Sequence, residues 1–123
     1  MTENEAALAY VSAWKNYDPM AFLNLLSEDV TYNSQWVFEE MKGKEKFVDY
    51  FTGKLETVKR ANMPVRAIMG KTTRSFPDRD CVLLFQSKTD APDALVLFEI
   101  SGDLISKVDM CIPELFAPIR AGV

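Results

Sequence analysis

Apolar residues along this chain change period near its middle. Ala7, Tyr10, Val11, Trp14 and Tyr17 recur at three- and four-residue steps, which places them on one helical face. Thr2 and Glu5 have the spacing of a capping box, so this first helix is expected from about Glu3. Asp18-Pro19 ends it and opens a second, short helix bearing Met20, Phe22, Leu23, Leu25 and Leu26, with Asp as cap and Pro at the first turn. A brief strand is expected at Asp29–Ser34. After Gly43, the residues Phe47, Tyr50, Phe51, Leu55 and Val58 form an apolar stripe that predicts a third helix from Lys44 to Ala61, stopped by Asn62-Met63-Pro64.

From Val65 onward the period is that of strands. Val65–Phe76, Cys81–Lys88, Ala94–Ser101 and Leu104–Ile112 are expected as strands, joined by turn-rich segments such as Pro77-Asp78-Arg79-Asp80 and Gly102-Asp103. Short connections imply antiparallel neighbours. Helices first and a sheet after predict one α+β domain spanning residues 1–123, a cone of helices on a curved antiparallel sheet, with the tail Pro113–Val123 packing back through Leu115, Phe116 and Ile119. Val82-Leu83-Leu84-Phe85 and Leu95-Val96-Leu97-Phe98 are apolar on both faces. The face turned from the helices therefore needs a cover. A second subunit, giving a homodimer through the outer sheet face, is the first expectation. Val65–Phe76 or the tail is the other.

Composition narrows the chemistry. The net charge is −4, from 14 basic and 18 acidic residues. Lys42, Lys44 and Lys46 are interleaved with Glu39, Glu40 and Glu45, so no basic stripe for nucleic acid is expected. No apolar run approaches the roughly 20 residues that span a bilayer. The acidic start Met-Thr-Glu-Asn-Glu does not read as a leader, and a cytoplasmic location is expected. The chain has no histidine. That removes histidine bases, Ser-His and Cys-His pairs and histidine-held zinc. Cys81 and Cys111 read as reduced, buried thiols. Neither a metal nor a cofactor is expected.

The run Asp18-Pro19-x-x-Phe22-x-x-Leu25-Leu26-x-x-Asp29-Val30, followed by Gly43, resembles the nuclear transport factor 2-like (cystatin-like) superfamily, in particular its SnoaL-like and ketosteroid isomerase-like branches. The resemblance runs from about Ala6 to Phe116 and implies a deep pocket between helices and sheet, taking a small apolar molecule. It assigns no single activity, because that superfamily mixes isomerases, cyclases and hydrolases with non-enzymatic domains.

Position by position, the resemblance is uneven. Tyr10 is similar to the oxyanion-stabilising tyrosine of the isomerases, but their general base would fall at Ser34 or Asn33 and their second aspartate near Val96. Asp109 is similar to the last-strand acid of the limonene epoxide hydrolase-like and SnoaL-like branches, and Tyr32 to a water-positioning tyrosine. The former branch's Arg and Asp would fall near Gln86 and Lys88, and the cyclases' histidine has no counterpart here.

From the residues themselves, Asp109 is the candidate acid, because a partly desolvated carboxylate in a pocket has its pKa raised toward a useful range. A carboxylate paired with Lys107 or Arg66 is the plainer role for it. Tyr10 and Tyr32 would orient substrate. Trp14, Asn33, Trp36, Phe38, Phe51, Gln86 and Phe98 would line the pocket, or serve as core and backbone partners. Glu99 is expected to point the other way from Val96 and Phe98, and Cys111 to share Asp109's face. Two functions follow: an enzyme or ligand-binding protein of the SnoaL-like kind, or a non-catalytic ligand- or protein-binding domain.

Overall fold

The computed structural model describes residues 1–62, 64–86 and 89–121, with the side chain of Phe38 outside them. Helix α1 (Glu3–Asn16) starts at the expected capping box, with Thr2 and Glu5 bonding reciprocally. It ends at Tyr17 in a left-handed conformation. Helix α2 (Met20–Leu23) is a single turn, entered through Asp18, whose Oδ1 accepts from the Met20 amide at 3.1 Å. Helix α3 covers Lys44–Ala61, as its apolar stripe predicts.

The strands are β1 (Leu26–Ser34), β2 (Val37–Lys42), β3 (Arg66–Lys71), β4 (Asp80–Phe85), β5 (Ala94–Ser101), β6 (Leu104–Cys111) and β7 (Ile119–Arg120). They form one sheet in the order β2-β1-β6-β5-β4-β3-β7. This confirms an α+β cone of helices on a curved sheet, with corrections: Leu26, expected in the second helix, opens β1, and β2 is an additional strand. The sheet is mixed, because β1 runs parallel to β6. Strand β3 stops at Lys71, and residues up to Phe76 form a loop in which Thr72 hydroxyl donates to the Phe76 carbonyl. The proposed strand end at Lys88, the helix stop at Met63 and the last two tail residues lie outside the described residues.

The face turned toward the helices carries Val82, Leu84, Ala94, Val96, Phe98, Val108 and Met110, packed on Tyr10, Trp14, Phe22, Phe47 and Phe51. The cone's interior is thereby filled. Tyr10 stacks on Phe51 at 5.4 Å between ring centres and meets Phe22 and Phe98 edge-on, while Trp14 meets Phe51 edge-on. Each of these rings is at most 2% exposed.

The outer face carries Cys81, Leu83, Phe85, Leu95, Leu97 and Cys111 under Phe116. The cover this face requires thus includes the chain's own tail. After the turn Pro113–Leu115, Thr73 and Arg74 amides donate to the Phe116 carbonyl, and Ser75 hydroxyl to that of Leu115. Strand β7 then pairs with β3. The apolar reason for expecting a partner subunit is met within the chain.

One bulge decides which side chains face where. Glu99 pairs with Lys107 and Ile100 with Ile105, so Ser106 is the extra residue in β6. An extra residue in one strand shifts its alternation by one. Ile105 faces the helices, and an unbroken alternation would have turned Asp109 the same way. With the bulge, Val108 and Met110 face the helices while Lys107, Asp109 and Cys111 face outward.

Candidate functional site

The tyrosine and carboxylate candidates do not converge. Tyr10 belongs to the filled interior, where burial pushes its phenol far above the ordinary range. Trp14, Phe51 and Phe98 are core beside it, which corrects their expected role as pocket lining. The indole N–H of Trp14 is buried and makes no hydrogen bond within the described residues.

Asp109 and Asn33 also depart from expectation. They are paired across β1 and β6 on the outer face, with Asn33 Nδ2 donating to Asp109 Oδ1 at 3.4 Å. Here they border a groove of about 820 Å³ together with Arg79, Glu99, Lys107 and Phe116. Burial raises the Asp109 carboxyl above its usual range, and Lys107 and the Asn33 amide partly offset this. Glu99 faces outward as expected, and Cys111 shares Asp109's face. Both cysteines are free, with burial raising the Cys81 thiol to about 12 and that of Cys111 to about 11. Neither is a thiolate at neutral pH.

At the mouth of the cone, between helix and sheet, three hollows share Tyr50. The largest, about 510 Å³, runs along α3 past Tyr50, Gly53, Lys54, Thr57, Val58 and Ala61, and is closed by Pro64, Val65 and Gln86. The second, about 250 Å³, lies over Tyr32, Leu84, Ala94 and Met110 and is edged by Trp36 and Asp93. The third, about 140 Å³, lies between Tyr32, Val37 and Met41. Tyr32, expected to orient substrate, and Trp36 and Gln86, expected as lining, all border the mouth. Phe38 lies in β2, and its side chain is not described.

The polar groups of the mouth are few. The Tyr32 ring packs on Phe47 and Tyr50, and burial, reinforced by the Tyr50 hydroxyl, pushes its phenol far above the ordinary range. Lys54 Nζ donates to Tyr50 Oη at 3.4 Å and lies 5.7 Å from that ring's centre. Asp93 Oδ2 accepts from the Gln86 amide at 2.6 Å, which holds the turn beside the mouth. Among the described residues no cluster of three His, Cys, Asp or Glu side chains could hold a metal, and no helix is long and apolar enough to cross a membrane.

Sequence reasoning missed Gly53, Lys54, Thr57 and Ala61. The signal was present: with Tyr50 they recur at three- and four-residue steps on one side of α3, but the stripe of Phe47, Phe51 and Leu55 beside them is more apolar and hides them.

No model of a protein family matches the chain, and no curated protein does. Solved structures do. A SnoaL-like protein of unknown function from Burkholderia thailandensis is 16% identical, with a TM-score of 0.64 over 88% of this chain and 91% of that one. A nuclear transport factor 2-like protein of unknown function from Cytophaga hutchinsonii is 18% identical, with a TM-score of 0.59 over 93% of both chains. A nuclear transport factor 2-like protein from Anabaena variabilis is 20% identical, with a TM-score of 0.59 over 88% of this chain and 84% of that one. At such identities the likeness is one of architecture, and it agrees with the order of elements found here: the chain has the nuclear transport factor 2-like fold.

Proposed function

We propose that this protein binds a small, largely apolar molecule at the mouth of the cone and performs no acid–base chemistry on it. The observation that carries this reading is the hollow of about 510 Å³ along α3, which keeps an apolar wall of Val58, Ala61, Pro64 and Val65 beside the polar Tyr50 and Gln86. Such a cavity, apolar with a few polar groups, suits a ligand that needs orienting rather than activating. Gly53 supports it further. A glycine inside a helix is less favourable than alanine by about 0.8–1 kcal/mol. A side chain built at Gly53 would meet nothing within 4 Å, so core packing does not require the glycine. Its absence of a side chain keeps the wall of the hollow low.

The catalytic reading needs Asp109 and the tyrosines around one substrate. Tyr32 faces the mouth, while Asp109 lies on the other side of the sheet. The non-catalytic alternative is therefore the better supported.

The test is Gly53→Leu. Leucine is a good helix former, so the variant should fold with unchanged or raised thermal stability. Its side chain should occupy the hollow. With decanol as a neutral apolar probe, titrated calorimetrically and by the fluorescence of Trp36, the parent protein should show saturable one-to-one binding and G53L at least tenfold weaker binding. No saturable binding by the parent, or equal binding by a folded G53L, would overturn the reading.

A further inference from the structure

We infer that the ligand of the α3 hollow is a linear amphiphile with an anionic head, of the class of medium-chain carboxylates, its head held by Lys54 and Tyr50 and its chain laid along the helix. This inference rests on the binding function proposed above and names the class of molecule.

The shape argues for a chain. The wall residues Tyr50, Lys54, Thr57, Val58 and Ala61 share one side of α3. From Lys54 to Ala61 the helix rises about 10 Å at its usual ~1.5 Å per residue. Val58, Ala61, Pro64 and Val65 give the wall beyond Lys54 a continuous apolar stretch, with Gln86 the polar residue beside Val65. That geometry suits an extended alkyl chain of about eight to ten carbons better than a compact ring.

The charge argues for an acid. Lys54 Nζ has no carboxylate within ion-pair distance among the described residues, and its one hydrogen-bond partner there is the neutral Tyr50 hydroxyl. It is partly buried at the junction of two hollows, both of which it borders. A partly desolvated ammonium without a counter-ion attracts an anion more strongly than a fully hydrated one. The Tyr50 hydroxyl, already accepting from Lys54, has its own proton free to donate to the same carboxylate. Two acidic residues face this region and set the direction of the head. Asp93 edges the second hollow, where its carboxylate holds the Gln86 amide, and Glu39 edges the third. Neither borders the α3 hollow, so the anionic head belongs on the Lys54 side.

Decanoate and decanol, equal in chain length, separate the two levels of the argument. The parent protein should bind decanoate at least tenfold more tightly than decanol at low ionic strength, and salt should narrow the difference. Lys54→Met keeps the length and helix propensity of the side chain while removing its charge. It should abolish the preference for decanoate over decanol and remove the salt dependence of decanoate binding. If the parent binds decanol as tightly as decanoate, or if K54M leaves decanoate binding unaltered, the anionic class is wrong while the binding site stands. If the parent binds neither molecule, both the class and the site fall.

Discussion

Asn33 and Asp109 stand directly opposite each other on neighbouring parallel strands, and the Asn33 amide donates to the Asp109 carboxylate on the outer face of the sheet. Burial raises the Asp109 carboxyl, so folding favours its protonated form. A carboxyl whose pKa is higher in the folded chain contributes stability that is fully present below its unfolded value, near 3.9, and lost as pH rises through the folded one. At neutral pH the buried Asp109 carboxyl is therefore a liability. Asp109→Asn preserves shape and an acceptor for Asn33, and should raise the melting temperature at pH 7. The gain should shrink as pH falls toward the ordinary aspartate range. A variant less stable than the parent at pH 7 would show that the charge is compensated by its neighbours. Binding at the cone mouth should not change in this variant, because Asp109 lies across the sheet from it.

The placement of Asp109 also marks where the sequence stops being readable. Helices α1 and α3 are legible because their signals are local: a capping box at Thr2 and Glu5, and an apolar stripe closed by Asn62. Strand β5 is legible from its apolar run Ala94–Phe98. Strand β2 is not, because Val37–Lys42 mixes Glu39, Glu40 and Lys42 into the sheet's edge, where charges are tolerated and even protective. The orientation of β6 depends on one unpaired residue, Ser106, whose hydroxyl donates to the Glu99 carbonyl at 3.2 Å. Nothing in Leu104–Cys111 announces that bulge, since partner register is a property of two strands and not of one. The candidate site fails for the same reason. Tyr32 and Gln86 border the mouth from positions near strand ends, while the identity of the facing helix residues depends on packing angles that one stripe does not reveal.

The filled interior predicts a large response at its centre. The Phe51 ring touches those of Tyr10, Trp14, Phe22 and Phe47, with centre-to-centre distances from 5.4 to 6.0 Å. Phe51→Ala removes both buried area and these ring contacts and should lower the unfolding free energy by about 3–5 kcal/mol in urea titration. That is a large part of an ordinary domain's stability. A loss below about 1 kcal/mol would mean that the cone is hollow rather than packed.

The tail makes a sterically demanding contact at Gly70. A Cβ there would stand 2.9 Å from the Ile119 carbonyl oxygen and 3.0 Å from Leu83 Cγ. Gly70→Val should therefore lift β7 from β3 and break the bond from the Ala121 amide to the Met69 carbonyl. Hydrogen exchange should accelerate at Ala121 and across Ile119–Arg120, with amides at Val96 and Phe98 keeping their protection. Unchanged exchange at Ala121 would show that the strand accommodates the branch by sliding, and that the tail is not seated through Gly70.

Tyr10 and Tyr32 differ in position but share one electrostatic consequence. Burial is the largest cause of the upward shift in both, and the Tyr50 hydroxyl adds to the shift of Tyr32. A phenol raised in the folded state contributes stability that is complete below its unfolded value, near 10, and is lost as pH climbs through the folded one. Both rings should thus remain protonated in the native protein past pH 10 and ionise together with unfolding. Ultraviolet titration at the tyrosinate band would read this directly. Tyr32→Phe should leave the native ionisation amplitude unchanged, remove one tyrosine from the amplitude after denaturation, and flatten the fall of stability above pH 10. If instead the variant lost a native transition near pH 10, Tyr32 would be an accessible phenol. The mouth would then hold a group able to exchange protons with a bound molecule, and the case for binding without chemistry would need to be reopened at Tyr32 rather than at Asp109.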